Sequence, residues 1–262
     1  MTESRQRLII RVSHGSLSFS TTEGTEVVFE PYAFNSSISM AANLREALRS
    51  VPLLGYNYRH VDVMVDSPVL MVPVDLFRDE EKEALYYHAF LRQEMQTVLH
   101  SVLPSLNAVA VFSLSKDLCT VVHDAFADVH FMAAVTPVWR HLHQRSYTGT
   151  HQKLYGYFHD KRMEVFSFGK NRFNFCNSYP VNNPNDALYY LLAAWKLLAL
   201  EPEHDELHLV GEIDDRDAFL DEARKYVKRV FYINPSGEFN RAQVTQIPGM
   251  PYDLMTLYIK GK

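Results

Sequence analysis

The chain has 262 residues, 47% of them hydrophobic and 22% charged, with a formal net charge of −5. That composition buries a core easily and excludes disorder, and the negative balance excludes broad nucleic-acid binding, which needs a basic field. Two cysteines and short apolar runs exclude a disulfide framework, a zinc cluster and membrane insertion, so a cytoplasmic protein is expected.

Leu8 to Val12 reads as a short apolar strand, and the turn Ser13-His14-Gly15 leads to a second in which Leu17 and Phe19 alternate with serines. Glu26 to Phe29 supplies a third. Ser39 is the N-cap of a helix to about Val51, with Ala42, Leu44, Ala47, Leu48 and Val51 on one face. Val61, Val63 and Val65 alternate in a strand that ends at Asp66-Ser67-Pro68. Val69 to Val74 continues extended, and Pro73 places it at an edge or a strand end. Asp79 caps a charged helix carrying Ala84, Leu85, Tyr87, His88 and Leu91. Strands at Gln96 to Val102 and Ala108 to Leu114 flank a turn at Pro104-Ser105. A helix from Lys116 to Ala127, a strand from Val129 to Ala134 and a helix with Pro137 in its first turn follow. The polar stretch from Gln144 to Gln152, with Gly149 inside it, marks a domain boundary. It gives a first domain of residues 1–150, with an insertion near 70–105, and a second of 151–262.

The second half repeats the pattern. Two strands (Lys153 to His159, Arg162 to Phe168) surround a polar turn, and a third runs from Arg172 to Tyr179. Asn183-Pro184-Asn185-Asp186 opens a long apolar helix, in which Tyr189, Tyr190 and Trp195 are expected in the core. A strand at Leu207 to Val210, a turn at Gly211 and a helix opened by Asp214, with Phe219, Leu220, Ala223 and Tyr226 on one side, come next. Val230 to Ile233 is a further strand, and the tail has no clear type.

Two halves that each begin with a three-strand meander and a helix resemble the actin-like ATPase (ribonuclease H-like) fold, shared by sugar kinases, heat-shock chaperones and pilus-assembly proteins. The implied class is α/β, with two duplicated βββαβα halves around a cleft. The chain is also similar to an uncharacterised bacterial family, found chiefly in the Bacteroidetes, that has this fold and no assigned activity. Val72-Pro73-Val74-Asp75-Leu76-Phe77, Asn177-Ser178-Tyr179 and Asp186 to Leu192 carry that likeness, with Leu207 to Gly211 and Pro251-Tyr252-Asp253-Leu254.

The resemblance implies positions for a nucleotide site. Active members of the superfamily set an Asp two residues before a Gly in the first hairpin turn, where the carboxylate positions Mg²⁺ and the backbone approaches phosphate. Here Gly15 is kept and Ser13 stands where the carboxylate belongs. In the second hairpin Gly156 has no acid beside it, and Asp160 in the turn is a candidate displaced acid. The base-binding glycine pair is reduced to Gly211 followed by Glu212. The implied candidates are therefore Ser13, Gly15, Gly156, Asp160, Asn177 and Gly211, in a degraded nucleotide site.

The remaining constellations have bland readings. Twelve histidines include the pair His141 and His143, but an i, i+2 spacing points two rings apart on a helix, and no metal site is expected. Cys119 stands four residues before His123, a spacing that permits thiol activation, yet its neighbours Leu118, Val121 and Val122 suit a buried structural thiol. The acids at Asp79 to Glu81 and Asp214-Asp215 serve helix starts. Arg172, Asn174, Asn177, Asn182 and Asn183 gather around the third strand of the second half and read either as a ligand pocket at a helix N-terminus or as turn and cap residues.

A non-catalytic binding or scaffold protein with a protein partner is the leading expectation. No catalytic residue and no resident cofactor go with it. The alternative is an ATPase or phosphotransferase using ATP and Mg²⁺ with relocated acids at Asp160, Asp214 or Asp66.

Overall fold

The computed structural model describes residues 4–92, 95–147, 150–170 and 172–260, so Gly149 of the expected boundary lies outside the described residues. The chain folds as two compact units. The first takes the chain up to Leu103 with Ala108–Thr136 and Ile247–Met250, and the second takes Pro104–Asn107, Pro137–Gln246 and the chain from Pro251.

The first unit is built on a five-stranded sheet. Strands β1 (Ser4–Val12), β2 (Leu17–Glu23) and β3 (Glu26–Tyr32) form an antiparallel meander. Helix α1 (Met40–Ser50) then returns the chain to β4 (Asn57–Val65), which runs parallel to β1. The register pairs Leu8 with Val61, Ile10 with Val63 and Val12 with Val65, all buried. A parallel pair covered on both faces reads as a nearly continuous apolar run, which is why these strands are legible. Each such side chain contributes roughly 1.5–3 kcal/mol by leaving water. Helix α1 starts as expected, with the Ser39 hydroxyl accepting from the Ala42 N–H at 3.2 Å. The helix also buries Asn43, whose amide accepts from the Asn35 N–H and donates to the Asn35 carbonyl, both at 2.9 Å.

A second, smaller sheet interrupts this unit after β4. Strand β5 (Leu70–Pro73) is followed by helix α2 (Lys82–Ala89), β6 (Gln96–Leu103) and β7 (Ala108–Ser115). The order is β5-β7-β6, so Pro73 does end an edge strand, where no ladder donor is missed. Tyr86 of α2 packs on Val72, Val98, Val109 and Val111. Helix α2 departs from expectation in two ways. Asp79 belongs to a preceding 3₁₀ turn and bonds Lys82 Nζ at 2.8 Å instead of capping the helix. Leu91 lies beyond the helix end and is 91% exposed. Helix α3 (Lys116–Ala125) and strand β8 (Val129–Ala133) rejoin the main sheet, whose order is β3-β2-β1-β4-β8.

The second unit repeats that sheet. After helix α4 (Thr136–Ser146) come β9 (Lys153–His159), β10 (Arg162–Phe168) and β11 (Phe173–Pro180), again an antiparallel meander. Helix α5 (Pro184–Leu197) leads to β12 (Glu206–Gly211), parallel to β9. Helix α6 (Arg216–Arg224) leads to β13 (Arg229–Tyr232). The order β11-β10-β9-β12-β13 is that of the first unit, strand for strand, so the duplicated halves are present. Short helix α7 (Pro235–Glu238) and terminal helix α8 (Tyr252–Lys260) give the tail its type.

Alternation along β9 sends side chains to two different cores. Leu154 and Phe158 join Met163, Val165, Leu207 and Leu209 beneath α5 and α6. Tyr155 and Tyr157 point the other way, where Tyr155 stacks on Phe166, Trp139 of α4 meets Phe166 edge-on, and Tyr157 approaches Tyr252 of α8. Trp195 is in the core as expected, but Tyr189 is 68% exposed and Tyr226 of the loop after α6 is 51% exposed. Among the described residues no helix is long and apolar enough to cross a membrane.

Candidate functional site

In the first unit the β1–β2 turn closes tightly on itself. The Ser13 N–H donates to the Ser16 carbonyl at 2.9 Å, and the Ser13 and Ser16 hydroxyls lie 2.8 Å apart. Ser13 is buried, while Gly15 faces open space. No carboxylate stands at the turn position itself. Asp66, one residue past β4, donates its backbone N–H to the Val12 carbonyl at 2.8 Å and so continues the ladder beside Ser13.

The second hairpin is shaped differently. Asp160 and Lys161 are its only loop residues, with φ of 45° and 60°, between the paired His159 and Arg162. Two successive left-handed residues make the primed turn whose twist matches the strands, here without glycine. Gly156 is not in this turn. It lies mid-strand on the α5 side of β9, where an added Cβ would stand 2.9 Å from a Leu209 methyl and 3.2 Å from a Leu191 methyl. It is a packing glycine that lets α5 close on the sheet.

Asp160, Lys161 and Arg162 line a hollow of about 280 Å³ with Asn182 and Asn183 at the start of α5 and Glu212 and Asp214 after β12. Gly211, just before Glu212, has a φ of 97°, and a Cβ there would collide with the Phe158 carbonyl. The next N–H, from Glu212, donates to that same carbonyl at 3.0 Å. The helix N-terminus facing this hollow already has its own partners. Asn183 Oδ1 accepts from the Asp186 N–H at 3.0 Å, and its Nδ2 donates to the Asp186 carboxylate at 2.8 Å. Arg162 is engaged by Ser178 Oγ at 2.5 Å and Glu164 at 3.8 Å. With three carboxylates against two cations, the hollow offers phosphate no net attraction without a metal ion.

The sequence grouped Arg172, Asn174, Asn177, Asn182 and Asn183, and the structure separates them. An extended strand advances about 3.3 Å per residue, so β11 carries Arg172 and Asn182 to opposite ends of the sheet. Asn177 is exposed on this edge strand and bonds only the adjacent Ser178 N–H among the described contacts. Of the expected site residues in this unit, Asp160 alone lines the hollow; Gly211 only precedes its lining residue Glu212, and Gly156 and Asn177 do not line it. Sequence reading missed Arg162, which no motif distinguishes from an ordinary strand residue. The Cys119 thiol is not activated: burial pushes its pKa up, and His123 instead packs edge-on against Phe131.

Residues 1–230 match the family described as Protein of unknown function (DUF3822). The chain belongs to the DUF3822 family. It is similar over 97% of its length, at 27% identity and a TM-score of 0.84, to 95% of a crystal structure from Bacteroides thetaiotaomicron VPI-5482, a protein with actin-like ATPase fold and unknown function. It also resembles the solved PilM–PilN type IV pilus biogenesis complex, at 12% identity and a TM-score of 0.56 over 97% of each chain. A search among curated proteins finds no match. This DUF3822 protein therefore has the actin-like ATPase fold, and the paired sheet orders above are its duplicated halves. At the first hairpin the residues present do not fit the fold's magnesium: a hydroxyl pair, Ser13 and Ser16, fills the turn.

Proposed function

We propose that this DUF3822 protein is a non-catalytic binding or scaffold protein that acts through a protein partner. The observation that carries the reading is Ser13. Its hydroxyl is buried against Ser16, at the position where phosphoryl-transfer members of this fold need a carboxylate for the metal. A serine neither binds Mg²⁺ strongly nor supplies the negative charge that the site requires. The second hairpin agrees, since its two-residue turn offers no glycine-lined cradle for phosphate. PilM, whose fold this chain shares, is recorded in a complex with PilN, and that supports a partner-binding role by analogy alone. Tyr189 and Leu197, 68% and 72% exposed on the outer side of α5, supply apolar surface of the kind that partners cover.

One observation favours a second reading. Asp160, Glu212 and Asp214 share one hollow, and a metal–nucleotide complex could exploit relocated acids there. A phosphate-release assay with Mg-ATP separates the two. The scaffold reading predicts release at the buffer rate for wild type and for Asp160→Asn alike. Turnover above background that Asp160→Asn abolishes would establish the enzyme reading instead.

A further inference from the structure

The β10–β11 turn and the C-terminal end of α4 border a basin of about 890 Å³ in the second unit, lined by Asn107, His143, Tyr147, Lys170, Arg172 and Asn174 among others. None of its described lining residues is acidic, in a chain with 31 acidic residues against 26 Lys and Arg. Lys170 and Arg172 are exposed, and among the described residues neither forms an ion pair or a side-chain hydrogen bond. That sets them apart from Lys82, Arg224, Lys225 and Lys228, each of which holds a carboxylate within 2.8 Å.

The backbone that carries these two cations is held in place. The Gly169 N–H donates to the Arg172 carbonyl at 2.8 Å. The Lys170 carbonyl accepts from the Tyr147 hydroxyl, which also lies 2.9 Å from Nε2 of the buried His143. The His143 ring packs against Phe168 at 5.1 Å. A Cβ at Gly169 would stand 2.8 Å from Asn174 Oδ1, so the amide of exposed Asn174 packs directly over this glycine. The backbone at Gly169, Lys170 and Arg172 is thus anchored, and the ordering cost that a ligand must meet is mainly that of the two cationic side chains.

We infer that this basin binds the carboxylates of an acidic peptide segment from a protein partner, with Lys170 and Arg172 as the charged contacts and Asn107 and Asn174 as amide donors. This deepens the partner-binding reading above and rests on it. A compact phosphate fits less well. The basin lies at the C-terminal end of α4, the negative end of the helix dipole, which penalises concentrated negative charge more than single charges spread along a peptide. Pro104 and Tyr147, the latter 53% exposed, add apolar surface for the residues between the acids.

Fluorescence anisotropy of labelled hexaglutamate with the full chain tests this. Wild type should bind, and Lys170→Glu combined with Arg172→Glu should weaken binding by about tenfold or more. Raising salt from about 50 to about 500 mM should weaken it as well. Lys225→Glu, just after α6 and not among the residues that line the basin, should change affinity by less than about twofold. All three positions are exposed, so each variant should keep the wild-type melting temperature. Equal binding by wild type and the double variant, or none by wild type, would overturn the inference. Binding of tripolyphosphate without hexaglutamate would also overturn it and make the basin a small-anion site. ATP turnover in the assay above would sink the scaffold reading without touching the peptide result, so the two failures are distinguishable.

Discussion

Asp62 is a buried carboxylate on β4 on which side chains from three strands converge. Arg7 Nε on β1 lies 2.5 Å away, His130 Nδ1 on β8 3.0 Å, and His60 Nε2 on β4 itself 3.3 Å. Burial pushes its pKa up, but the bonds from His130 and Arg7 and the charges of Arg7 and His60 outweigh that and hold it below the usual range. Its stabilisation is therefore present above the unfolded value, about 3.9, and is lost as pH falls through the lower folded one. His60 runs the opposite way. The hydrogen bond to Asp128 raises its pKa against the lowering effect of burial, with Asp62 adding to the rise. Its contribution is complete below about pH 6.5 and fades as pH rises through the higher folded value. Melting temperature should thus fall on both sides of a plateau between these limits, and Asp62→Asn should flatten the acid limb while costing about 2 kcal/mol at neutral pH. An unchanged acid limb in Asp62→Asn would show that other carboxylates dominate. Gly211 makes a backbone prediction: Gly211→Ala, at φ 97° against the Phe158 carbonyl, should cost at least about 2 kcal/mol in urea unfolding. None of these contacts was legible beforehand, because Arg7, His60, Asp62 and His130 meet only after three strands are in register. By contrast, the missing carboxylate at Ser13 could be read directly, since it depends on one residue in a local turn.

At the scale of elements, α5 shows where periodicity stops informing. It is apolar nearly all round, so Tyr189 and Tyr190 looked alike. The structure puts Tyr190 against Tyr179, 4.2 Å between stacked rings, and leaves Tyr189 in solvent. Consecutive helical residues are 100° apart, and only the packing of the sheet decides which one is inside. Removing the cap should matter more than changing that exposed side. Asn183→Ala should lower stability by about 1 kcal/mol, whereas Leu197→Lys should stay within about 0.5 kcal/mol, both read from urea midpoints. The strands were legible because valine and isoleucine alternate or run together in them. The position of Leu91 was not: the helix of which it continues the pattern ends at Ala89, and the apolar pattern carries no stop signal there. The turn at Asp160 and Lys161 was equally hidden, since strand twist forces both residues left-handed and nothing in their identities demands it.

For the whole molecule, two sheets of matching strand order are the duplication that the sequence pattern implied, and among the described residues the small sheet of β5, β6 and β7 belongs to the first unit alone. The turn of the first hairpin carries Ser13 and no carboxylate, and the turn of the second carries no glycine. That combination is the basis on which we propose a binding role instead of turnover. The direct test is thermal unfolding with and without millimolar Mg-ATP and Mg-ADP. A nucleotide at 100 times its dissociation constant would add about 2.7 kcal/mol, and for a chain of this size that shifts the midpoint by several degrees. The account predicts no shift with either nucleotide. A reproducible rise, reduced by Asp160→Asn or Asp214→Asn, would contradict it and make the acidic hollow a working nucleotide site.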